Sequence, residues 1–117
     1  MNTIRLKNDK YRASRGGTAK LVDVICANCN YKVLLYQKDG PGWLKRCYLN
    51  RIFEPSEYSK LQKDKSINSQ EKMPKLICLN CKKLIGLPMK HKDGRLAFTL
   101  IRGSFKRRTN RTINYVD

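Results

Sequence analysis

Two short motifs hold the residues of this chain best suited to chemistry: Cys26-Ala27-Asn28-Cys29 and Cys78-Leu79-Asn80-Cys81. Thiols three positions apart on a tight turn reach one metal ion together, at about 2.3 Å each for zinc, and the turn's own N–H groups support the sulfurs. Two such turns supply a tetrahedral four-cysteine set for one structural Zn2+. A catalytic zinc keeps a position open; four thiolates fill the shell, so no zinc-bound water is expected. The redox alternative is a pair of reactive dithiols, which needs a helix N-terminus behind the first sulfur to lower its pKa. The residues after Cys29 read as a strand, so that context is missing.

Other reactive groups are sparse. Cys47 lies between Arg46 and Tyr48, and cations at Lys45 and Arg46 are the kind of neighbours that activate a thiol. A free cysteine on a strand is more simply a small buried apolar residue, and that is the expectation adopted. A nucleophile at Cys47 would also need a base, and the single histidine, His91, sits beside a turn and is expected on the surface. No paired carboxylates stand out. Gly40-Pro41-Gly42 lacks the strand-to-helix setting and the Lys-Ser/Thr of a phosphate-binding loop.

The elements that must position the cysteines are mostly strands. Thr3 to Lys7 reads as a short strand and Asn8 to Lys20, with its Arg15-Gly16-Gly17, as a flexible basic loop. Leu21 to Ile25 is strand-like, and Tyr31 to Gln37 follows the first knuckle with β-favouring residues. Asp39-Gly40-Pro41-Gly42 is a turn. Trp43 to Phe53 reads as a further strand. Residues 55–63 are the one short helix: Pro55 suits its first turn, Glu57 its positive end, and Tyr58 and Leu61 share a face. A polar loop spans 64–74. Beyond the second knuckle, Leu84 to Lys90 and Arg95 to Arg102 read as a hairpin around Lys92-Asp93-Gly94, with Leu96, Phe98 and Leu100 on one side. The division expected is a basic N-terminal strand and loop (1–20), a zinc-binding β domain (21–103) and a basic C-terminal tail (104–117).

The two halves resemble each other. Ile25-Cys-Ala-Asn-Cys29 matches Ile77-Cys-Leu-Asn-Cys81 at four of five positions, and a Lys-Asp-Gly turn follows each, at Lys38 and at Lys92. The unit is strand, knuckle, strand, turn, strand. Two such units predict a mainly β fold: two small antiparallel sheets meeting at one zinc with pseudo-two-fold symmetry. Forty-eight residues separate Cys29 from Cys78, against about 15–20 in a simple zinc ribbon. Over roughly residues 21–102 the chain resembles the β-tent zinc folds, which include Yippee-like domains, the regulatory domains of cytosolic RNA sensors and methionine sulfoxide reductase B. The resemblance implies a fold and a structural zinc, and no single function. An elaborated zinc ribbon with a long insertion, as in many ribosomal proteins, is the alternative architecture.

Charge points to a partner. Twenty-six Lys and Arg stand against nine Asp and Glu, a net +17, which four thiolates with one Zn2+ lower to about +15. Such an excess repels itself unless a polyanion is near. The surplus falls on residues 1–20, 76–103 and 104–117, while 54–75 is nearly neutral. Candidate nucleic-acid contacts are Arg12, Arg15, Trp43, Lys45, Arg46, Arg51, Arg102, Lys106, Arg107, Arg108 and Arg111. Cations neutralise phosphates, and an exposed Trp or Tyr stacks on unpaired bases. With no basic helix to enter a major groove, RNA is preferred over DNA. No apolar run approaches the roughly 20 residues of a membrane span, the N-terminus lacks the apolar core of a secretory signal, and five cysteines favour metal over disulfides, so a cytoplasmic location is expected. The reading is a non-enzymatic zinc protein that binds RNA, ribosomal or ribosome-associated. The alternatives are a transcription-type zinc ribbon that contacts DNA or polymerase, and a thiol reductase that uses Cys47.

Overall fold

Strand-forming runs punctuated by Gly, Asn and Asp dominate the chain, and the fold follows them. The computed structural model describes residues 3–117; residues 1–2 of the basic N-terminal segment lie outside them. In order the elements are β1 (Ile4–Arg5), α1 (Lys10–Ala13), β2 (Ala19–Cys26), β3 (Lys32–Asp39), β4 (Arg46–Tyr48), β5 (Ile52–Glu54), α2 (Ser56–Ser59), β6 (Leu76–Ile77), β7 (Leu84–Lys90), β8 (Leu96–Leu100), β9 (Phe105–Thr109) and β10 (Tyr115–Val116). They form two four-stranded antiparallel sheets, ordered β5-β3-β2-β9 and β4-β8-β7-β6, and a small parallel pair of β1 with β10. This is the mainly β, two-sheet architecture that the sequence predicts, with the four cysteines at the junction.

The sheets share one core. Val22, Val24, Leu34 and Tyr36 from the first meet Cys47, Ile85 and Phe98 from the second, all buried. Leu21 and Leu35 point the opposite way, into a smaller core with Leu6 that Phe53 and Ile113 cover. Strand β2 is therefore buried on both faces, which explains its unbroken apolar run in place of alternation. Each such Leu, Val or Phe contributes about 1.5–3 kcal/mol on burial. Tyr58 of α2 ties the connector to the second knuckle: its hydroxyl accepts from Ile77 N (3.1 Å) and donates to Ile77 O (3.2 Å), while its ring packs edge-on against Phe98. No helix among the described residues is long and apolar enough to cross a membrane.

Three expectations need correction. The basic tail is not free: Phe105–Thr109 pairs with β2 from Val22↔Thr109 to Cys26↔Phe105. Its Lys-Arg-Arg core lacks apolar alternation because β9 is an edge strand, and charged side chains there discourage pairing with other chains. The 43–53 strand is broken. After Tyr48 a turn of 3-10 helix over Leu49–Arg51 moves the chain from the second sheet to the first, because Arg51 and Ile52 are buried in succession and strand alternation fails. The 8–20 loop contains α1, whose N-cap Asp9 accepts from the N–H groups of Tyr11 and Arg12 at 3.1 Å each. The 55–63 helix is present as α2 followed by a 3-10 turn over Lys60–Lys63.

Candidate metal centre and basic surface

Each knuckle is a strand end, a turn and a strand start, and the two are built alike. The N–H of Cys26 donates to Tyr31 O (2.8 Å) and that of Asn30 to Cys26 O (2.9 Å). Fifty-two residues later Cys78 N donates to Lys83 O (2.9 Å) and Lys82 N to Cys78 O (2.8 Å). The residue after the second cysteine takes a left-handed conformation in both, Asn30 at φ 65 and Lys82 at φ 70. Even the ladder irregularity recurs, between Val24 and Ile25 and between Leu76 and Ile77.

The result brings Cys26, Cys29, Cys78 and Cys81 together, with all four Sγ atoms within 4.8 Å of one another. Cys26 and Cys81 are 3.6 Å apart at sulfur, as are Cys29 and Cys78. Sulfurs bound at 2.3 Å in a regular tetrahedron lie about 3.8 Å apart, so the cage fits one zinc. The four sulfurs are placed to chelate a single metal ion, and an all-thiolate set is that of a structural Zn2+. The outer shell is reciprocal: Asn28 Nδ2 donates to Cys81 Sγ (3.4 Å) and Asn80 Nδ2 to Cys29 Sγ (3.3 Å). The Asn28 amide, helped by the Lys83 N–H, holds the Cys81 thiol down at about 6, and Asn80 lowers Cys29. Burial pushes Cys78 up to about 11. When bound, the metal supplies cross-linking: it joins a turn of the first sheet to a turn of the second.

Cys47 lies on β4 with no exposed surface, and burial raises its thiol far above the ordinary range. Its cationic chain neighbours point elsewhere. Arg46 Nη1 donates to Tyr48 Oη and to His91 Nε2, both at 3.4 Å. His91 packs against Tyr48 and Asp93. The environment that would activate Cys47 is absent among the described residues.

The predicted nucleic-acid contacts divide. Two are turned inward, which corrects the expectation for them. Arg51 is 1% exposed, with Nη2 and Nη1 on the Asp9 carboxylate (2.6 and 3.1 Å) and Nε on Asp39 (2.9 Å). The Arg51 hydrogen bonds hold the Asp9 carboxyl down at about 2. Arg12 is buried, with Nε on Gly17 O (2.8 Å) and an ion pair to Asp117. Arg46 is half-buried, as described. Arg15, Lys45, Arg102, Lys106, Arg107, Arg108 and Arg111 are exposed, and Trp43 is 88% exposed. Arg108 pairs with Asp23 (3.3 Å) and Lys106 reaches Asn30 (2.8 Å). Arg15 and Arg107 converge on one turn, donating to Pro41 O (2.9 Å) and Gly42 O (3.1 Å). Tyr48 is engaged elsewhere: the Arg95 guanidinium sits between its ring (3.6 Å) and that of Tyr11 (3.8 Å). Sequence reasoning missed Lys20 and Lys38, which also approach this turn. Their signal is a register, Lys20 opposite Lys38, that becomes visible only once β2 and β3 are paired.

No protein-family model, curated protein or solved structure matches the chain.

Proposed function

We propose that this structural-zinc protein binds RNA through its basic loops and the β9 edge, as a cytoplasmic component of a ribonucleoprotein such as the ribosome. The observation that carries the reading is where the acids go. Six of the nine carboxylates pair with cations of the chain itself: Asp9, Asp23, Asp39, Glu54, Asp93 and Asp117. Only five Lys or Arg (Arg12, Lys32, Arg51, Arg95, Arg108) take part, so 21 of the 26 have no carboxylate partner among the described residues. The remaining acids, Glu57, Asp64 and Glu71, lie in the 56–72 connector, away in sequence from the basic strand and loops. Folding thus uses up the negative charge and leaves the positive charge outward, a surface suited to phosphate neutralisation. The exposed Trp43 beside the convergent Arg15 and Arg107 supports a single strand over a duplex, since a bare indole stacks on unpaired bases. Four of the five cysteines are gathered as metal ligands and not as disulfides, a usage that suits a reducing compartment.

Charge reversal at Lys106, Arg107 and Arg108 tests this. RNA affinity should fall, and the slope of log affinity against log salt should flatten by about 0.7 for each phosphate no longer neutralised, as expected for single strands. A slope identical to that of the parent protein excludes β9 from the interface. Tighter binding to duplex DNA than to RNA would favour the transcription-type reading instead.

A further inference from the structure

Two buried cations of this fold are treated in opposite ways. Arg51 has two carboxylates. Lys38, only 4% exposed, has none: its Nζ donates to Gly40 O at 2.7 Å, and among the described residues no carboxylate oxygen lies within the 4.0 Å of an ion pair. An ammonium has three donors, and among the described residues Gly40 O is the protein acceptor that this one meets. Its direct cross-strand neighbour is another cation, Lys20, an arrangement that destabilises a ladder when nothing lies between the charges. Arg15 and Arg107 close the ring. Gly40, Pro41 and Gly42 each present a carbonyl to a different cation, Lys38, Arg15 and Arg107 in turn. Beneath the turn is a recess of about 310 Å³ lined by Thr18, Ala19, Lys20, Lys38, Gly40 and Pro41, at the small end of the roughly 300–1,000 Å³ typical of ligand sites.

We propose that this recess binds a backbone phosphate of RNA through Lys38 and Lys20 of its lining, with Arg15 and Arg107 on the adjoining turn, while the neighbouring base stacks on Trp43. The inference rests on the RNA-binding reading and names its anchoring site. Several observations agree with it. Burial, together with the charges of Arg107, Lys20 and Arg15 and only partly offset by Asp39, holds the Lys38 ammonium below its ordinary value, and an arriving phosphate opposes both effects by adding negative charge and hydrogen-bond acceptors. Trp43 follows Gly42 directly, so its ring is one residue from the turn. The walls are interlocked. Gly40 has φ +71, and a Cβ on it would lie 2.5 Å from Arg15 O, so only glycine lets the Arg15 loop dock here. The second Lys-Asp-Gly turn is open by comparison: Lys92 is exposed and Gly94 has nothing within 4 Å of its Cβ position.

Two probes of the zinc-loaded protein test the site: inorganic phosphate, followed by phosphorus NMR line broadening, and a 5′-hydroxyl octauridylate, followed by the fluorescence of Trp43. Lys38→Met and the exposed Arg107→Gln should each weaken phosphate binding by about tenfold or more, the usual scale for losing a charged hydrogen bond. Lys92→Met, the matching change in the second turn, should leave both affinities within about twofold. Near-UV circular dichroism confirms that each variant is folded, and Arg107→Gln keeps the test intact if Lys38→Met is not. The proposal is overturned if the parent takes no phosphate, or if folded variants match the parent. Octauridylate bound equally by parent and variants removes the recess and leaves the RNA reading standing. Phosphate captured at Lys38 by a protein that ignores octauridylate does the reverse.

Discussion

At the knuckles the two halves of the chain repeat each other bond for bond: Asn28 serves Cys81 as Asn80 serves Cys29, and the same ladder shift precedes each pair of thiols. At the Lys-Asp-Gly turns that follow, the halves part. Asp39 is drawn inward to Arg51 and Gln37, and Lys38 is buried without a carboxylate. Asp93 stays local, holding Arg95 and His91, and Lys92 stands in water. A tetrahedral metal tolerates only one geometry of four sulfurs, so the knuckles have to agree. The turns carry no shared constraint. The first has become a site of concentrated positive charge followed directly by the exposed Trp43, and the second a plain hairpin connection.

The sharpest way to break the likeness of the knuckles is to remove one sulfur. Cys26→Ser or Cys81→Ser should abolish folding, since binding of a structural zinc is worth about 10–16 kcal/mol and is coupled to folding. Metal content and near-UV circular dichroism should be lost together, and a zinc-free variant that melts like the parent would refute the structural role of the metal. Next come two of the buried cations, Arg51 and Lys38. Arg51→Met strands the Asp9 and Asp39 carboxylates and should cost about 3 kcal/mol in urea denaturation, whereas Lys38→Met, which leaves no buried charge behind, should be neutral or stabilising. Equal losses would erase the distinction between them.

How far the chain discloses these features in advance depends on what each residue answers to. The knuckles, β2, β3, β7 and β8 are legible because local rules dictate them: metal spacing, apolar runs, a Lys92-Asp93-Gly94 turn. Strand β9 is not, since Phe105-Lys-Arg-Arg-Thr109 gains strand structure only from the free edge of β2. Arg51 reads as a surface cation because its carboxylates stand 42 and 12 residues away. Lys38 reads as an ordinary turn lysine, and its burial under the turn and its opposition to Lys20 depend on tertiary packing.

Smaller effects are expected at the asparagines that support the sulfurs. Asn28→Ala and Asn80→Ala should lower zinc affinity by similar factors, about 10–100-fold for such supporting hydrogen bonds. The sign with pH follows from the thiols. The amides keep Cys81 and Cys29 ionised to lower pH, so either variant should release zinc at a higher pH than the parent in an acid titration with a chelator dye. Unequal shifts would mean that the pseudo-symmetry stops at the sulfurs. Smallest is the pair of turn glycines. Gly94→Ala meets only the backbone cost of a left-handed residue, about 1–2 kcal/mol. Gly40→Ala adds a collision with Arg15 O and should lower the melting temperature further. If the two melt alike, the Arg15 loop is not docked as described.

On the proposal made above, the positive surface around the first turn holds single-stranded RNA. The chain has one tryptophan, Trp43, and it is exposed beside that turn, so a titration followed by its fluorescence reads the claim directly. With octauridylate at physiological salt, we predict saturable quenching, tighter binding than to duplex DNA of equal length, and a loss of affinity in Trp43→Ala matching the roughly 1–3 kcal/mol of one stacked base. An indole signal indifferent to RNA, or duplex DNA bound as tightly, would contradict it.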